Sequence, residues 1–150
     1  MTARPIPENL IADALAEAER LLMTSDLRGC EQACIDVLAA RPGSIEATWL
    51  LIDAKSLQFA VDPTSATAPL LKLVSALRDD FARFYLTGFV FERWAAAQAT
   101  RGAPPYAANE WLREAMSAYE KAGKIAGDAD VRPLLRWNAC LRLRRGEPSK

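Results

Sequence analysis

The chain has 150 residues, just over half of them apolar, and its 19 basic residues balance 19 acidic ones. This supports one domain, or one compact repeat array, and argues against a general nucleic-acid coat or a highly acidic solvating role. Histidine is absent, which removes the commonest general base, the commonest metal ligand and the usual partner of a serine or cysteine nucleophile.

The pattern predicts helices throughout. Alanine, leucine, arginine and glutamate dominate, and no alternating β-branched run or Asn-Gly turn signals a strand. The first helix is expected over Glu8–Met23, with Ile11, Ala14, Leu15, Ala18, Leu21 and Leu22 on one buried face. Asp26 caps a second helix ending at Ala40, where Pro42-Gly43 stops it. Ser44 caps a third, expected over Ile45–Val61, and Asp62–Ser65 forms a turn. A short fourth helix over Ala66–Leu77 holds Pro69 in its first turn.

Asp79 or Asp80 caps an aromatic-rich fifth helix, Phe81–Ala99. The loop Thr100–Pro105 leads to a sixth helix, Tyr106–Ile125, with Leu112, Ala115, Met116, Tyr119 and Ala122 on one face. Gly127-Asp128 ends it, and a seventh helix follows over Arg132–Arg145. Residues 1–7 and 146–150 are expected to be flexible ends of a single all-α domain spanning 1–150.

The stretch Ser25–Trp49, SDLRGCEQACIDVLAARPGSIEATW, carries helix, proline stop, cap and helix in succession. With Ala18 and Leu21 before it, Cys30, Cys34 and Val37 within it and Pro42 at its stop, the chain resembles the tetratricopeptide repeat family, whose unit is a helix pair of about 34 residues. Gly88 and Phe91 resemble the small and aromatic pair of a later first helix. Ala115, Tyr119 and Ala122 resemble a second-helix triplet. Between Phe91 and Ala115 the chain is longer than the family spacing by about fifteen residues. The fifth helix must therefore be extended, its loop enlarged, or both.

The resemblance implies three antiparallel helix hairpins and a capping helix, stacked as a short right-handed superhelix. It also implies a concave groove walled by the first helix of each pair. Its wall would hold Leu15, Glu19, Trp49, Leu50, Asp53, Tyr85, Phe89 and Glu92, with Asn138 from the last helix. The family positions that clamp a peptide's terminal carboxylate fall on Leu15, Glu19, Leu50, Ala82 and Leu86, and none of these is a cation. The implied role is a non-catalytic adaptor or chaperone-like module whose aromatic, aliphatic and acidic groove holds a partner protein's helix or peptide. The alternative is a self-associating module that dimerises through apolar repeat faces.

Other features point away from chemistry. Cys30 and Cys34 lie one helical turn apart, but as small core residues they need no metal, and a zinc site wants about four ligands. Neither a cofactor nor a metal is expected. Asp79-Asp80 reads as a cap and not as an acid–base pair. Five arginines on the last helix favour its C-terminal dipole and read as a solvated cap, or else as a basic edge. No apolar run approaches the roughly eighteen residues of a membrane span, the first ten residues lack a secretory apolar stretch, and three cysteines suit a reducing compartment. A cytoplasmic location is the expectation.

Overall fold

The computed structural model describes residues 1–146; the remainder of the expected flexible tail, 147–150, lies outside them. Among the described residues all regular structure is helical. The elements are α1 (Ile11–Met23), α2 (Leu27–Ala40), α3 (Ile45–Ser56), α4 (Thr67–Ser75), α5 (Asp80–Thr100), α6 (Pro105–Ala126) and α7 (Arg132–Arg144). Short 3-10 turns at Glu8–Leu10 and Gly127–Ala129 precede α1 and α7.

Three helix starts are fixed by the side chains expected to cap them. Asp26 accepts from the Gly29 N–H at 2.9 Å, Ser44 from Ala47 at 3.1 Å and Asp79 from Ala82 at 2.8 Å. Each satisfies one of the backbone donors that a helix N-terminus leaves open. Between α1 and α2 the chain reverses at Ser25, which sits in the left-handed region at φ 66°. Its neighbours Thr24 and Asp26 donate back to Arg20 and Leu21 at 3.0 and 2.8 Å.

The third helix is shorter than expected. It stops at Ser56, and the backbone then turns with the Val61 and Asp62 N–H groups donating to the Gln58 carbonyl. That turn buries Phe59 completely and sets its ring edge-on to Trp94 at 5.1 Å. An aromatic side chain buried in this way outweighs the helix propensity of the segment.

The helices gather into two compact units, Met1–Leu57 and Gln58–Lys150. The division falls between α3 and α4, inside what the repeat spacing assigns to the second helix pair. In the first unit α1 packs on α2, α2 on α3 and α1 on α3. Ile11, Val37 and Ala47 are its buried centre, with Ile6, Ala14, Leu15 and Leu38 packed around them. Ile6 thus draws part of the extended N-terminal segment onto the core. Ala18, Cys30 and Cys34 are fully buried where small side chains allow close helix approach.

In the second unit α4 packs on α5, α5 on α6 and α6 on α7. The extra residues after Phe91 are taken up by helix length: α5 has 21 residues and α6 has 22. The intervening turn needs Gly102 at φ +89°. Gly88 faces Tyr119 so closely that an added Cβ would lie 2.8 Å from its ring. The Tyr119 ring is packed against Tyr85, with centroids 5.4 Å apart.

Candidate functional site

In the first unit a cleft of about 390 Å3 opens over α1 and the start of α3. Two periodicities build it. On α1, Ala14 and Ala18 turn toward the unit's interior, Ile11 and Leu15 touch both the core and the cleft, and Ala12, Leu15, Ala16 and Glu19 line the cleft at i, i+3, i+4 and i+7 spacing. On α3, Glu46 and Leu50 stand one turn apart and contribute an acid and an apolar side chain.

Leu15, Leu50 and the buried Ile11 make the apolar part of the lining. Glu8, Glu19 and Glu46 supply three carboxylates against one guanidinium, that of Arg41. Arg41 reaches from the end of α2 to form an ion pair with Glu8. The lining therefore keeps an acidic surplus beside apolar surface.

Three residues expected in the groove wall, Leu15, Glu19 and Leu50, come together in this cleft. Trp49 and Asp53 are half-buried on the same helix as Leu50. Glu8, Arg41 and Glu46 were not foreseen. Glu46 had a signal, since it lies four residues before Leu50, whereas the Glu8–Arg41 pair joins residues 33 apart and had none.

The second unit corrects two of the expected wall residues. Tyr85 is only 5% exposed and Glu92 only 7%, so both are interior. Tyr85 stacks on Phe81 at 5.8 Å, and desolvation raises its phenol pKa. The Glu92 carboxylate accepts from the Tyr119 hydroxyl at 2.7 Å and from Arg136 Nε at 3.1 Å, and forms an ion pair with the Arg136 guanidinium. A charged group in the interior is held by partners of this kind, and its side chain serves packing. Phe89 is half-buried with the Arg93 guanidinium 4.3 Å above its ring, and Asn138 is half-buried on α7.

The arginines of the last helix divide likewise. Arg136 is engaged by Glu92, Arg132 pairs with Asp130 at 2.6 Å, and Arg144 reaches Met116 Sδ at 3.9 Å. Arg142 and Arg145 remain exposed at the C-terminal end.

The three thiols are free and buried. Burial raises the pKa of Cys30 and pushes Cys34 and Cys140 up to about 12. That is the reverse of what activates a cysteine nucleophile. Among the described residues no group of three or more Cys, Asp or Glu is placed to hold a metal ion, and no helix is long and apolar enough to cross a membrane. Comparison with protein-family models, with curated proteins and with solved structures found no match to this chain.

Proposed function

We propose that the chain is a non-catalytic interaction module of tetratricopeptide-like design, an adaptor or chaperone-like protein that holds a partner's helix or peptide in the first-unit cleft. The observation that carries this reading is the convergence of Leu15, Glu19 and Leu50 on one concave surface. The volume lies within the range of sites that accept a few side chains. Apolar floor and carboxylate rim together suit an amphipathic segment with basic flanks. The absence of histidine and the upward-shifted thiols support a role without chemistry. Burial of Ala18, Cys30, Cys34, Val37, Gly88, Ala115, Tyr119 and Ala122 agrees with the small and aromatic positions of the repeat pattern.

Site-specific photo-crosslinking tests the reading. A benzophenone side chain placed at Ala16, on the cleft, is compared in cell extract with one at Ile35, which is 52% exposed on α2. A partner adduct is expected at Ala16 and not at Ile35, and it should disappear when Glu19→Lys and Glu46→Lys are added. An adduct that survives those changes in a folded protein would move the site elsewhere.

A further inference from the structure

α7 presents an outward face that the second unit does not use. Val131, Leu134 and Leu135 are 58%, 60% and 56% exposed. They share one side of the helix with Arg142 and Arg145, while Pro133 and Cys140 are buried on the other. The face is therefore apolar over its first turns and basic over its last. No acidic residue stands between Val131 and Gly146. This is the complement of the first-unit cleft, whose apolar lining is rimmed by Glu19 and Glu46.

From this complementarity we infer that the cleft of one copy takes the outward face of α7 from a second copy, in a head-to-tail association. The inference rests on the reading of the cleft as a docking site and names its occupant. Leu134 and Leu135 enter the cleft against Leu15 and Leu50, and Arg142 and Arg145 meet the carboxylates. The two contacting surfaces are different, so the contact is heterologous. Each copy keeps a second surface open, and association continues beyond two copies unless the arrangement closes. Opposite charges at the rim speed encounter and set register, and salt screens them.

Sedimentation velocity of the full chain, from about 5 to about 300 μM, tests this. The weight-average mass is expected to rise with concentration at about 50 mM NaCl and to fall back toward the monomer at about 500 mM. Two variants should each weaken association by about tenfold or more. One carries Glu19→Lys with Glu46→Lys in the cleft, and the other carries Leu134→Gln with Arg142→Gln on α7. All four positions are solvent-exposed, and circular dichroism checks that both variants fold. An equimolar mixture of the two retains one intact cleft and one intact α7 face. It should form a one-to-one dimer and nothing larger.

A wild-type mass that stays monomeric throughout, or a mixture that does not pair, would overturn the inference. So would binding of a monomeric wild type to phosphatidylserine vesicles that the α7 variant loses, which would assign the basic face to lipid. A cleft that still takes a foreign basic helix while the wild type stays monomeric would leave the docking reading standing and refute only the second copy as occupant.

Discussion

Substituting Gly88 by alanine sets two effects of opposite sign against each other. In a helix interior alanine gains about 0.8–1.0 kcal/mol over glycine. Here the new Cβ would lie 2.8 Å from Cδ1 and Cε1 of Tyr119 and 3.0 Å from Cζ. Carbon pairs rest near 3.5–4.0 Å, so α5 and α6 would have to part by about 0.7–1.2 Å or the ring would have to turn. The ring has little freedom. It is 1% exposed, lies against Tyr85 and is tethered by its hydroxyl to Glu92 at 2.7 Å. Overpacking costs about 1–3 kcal/mol, and an anchored ring facing a helix backbone belongs at the upper end. The net expectation is a loss of about 1–2 kcal/mol, lowering Tm by about 2–8 °C. Gly123→Ala is the control, because its Cβ would meet only Pro133 at an ordinary 3.7 Å. That variant should gain up to about 1 kcal/mol. Urea titrations followed by circular dichroism at 222 nm measure both. A Gly88→Ala protein as stable as Gly123→Ala would refute the close α5–α6 contact.

Other consequences follow from single contacts. Arg136→Met leaves the interior Glu92 carboxylate without its cation and should cost about 2 kcal/mol in the same titration; an unchanged midpoint would show that the pair contributes nothing. Ser25→Gly relieves a left-handed conformation and should stabilise by about 0.5–1 kcal/mol, with a loss of stability as the contrary result. The thiols of Cys34 and Cys140 have pKa values near 12 in the folded chain against an ordinary 9.0, so the folded state holds its protons longer than the unfolded one. The thiols' contribution to stability should then be constant below pH 9 and decline between pH 9 and about 12 by about 1.4 kcal/mol per pH unit for each thiol, and Cys34→Ala should flatten the decline. A profile equally steep in the variant would exclude Cys34 as a source of it.

The elements were legible in the sequence wherever a local signal existed. Asp26, Ser44 and Asp79 announce helix starts by cap chemistry, and each caps the helix expected of it. The end of α3 was misjudged because its cause is tertiary: Phe59 is drawn out of helical register to meet Trp94, 35 residues away. The family resemblance puts Glu92 and Tyr85 on a groove wall because it transfers a helix face and does not say whether solvent or another helix covers that face. The Glu92 partners, Tyr119 and Arg136, are 27 and 44 residues distant and leave no local trace. The cleft was half legible. Leu15, Glu19 and Leu50 were named on family resemblance, while Arg41 and Glu8 became part of it only through their long-range ion pair.

Backbone-amide NMR titration of the full chain with a synthetic amphipathic helix of leucine and lysine addresses the docking site most directly. Shift changes should gather at Ala12, Ala16, Glu19, Glu46 and Leu50, on the two faces that form the cleft, and should vanish in the protein carrying Glu19→Lys and Glu46→Lys. Changes spread over α4–α7, or none with the peptide in large excess, would contradict a docking cleft on the first unit.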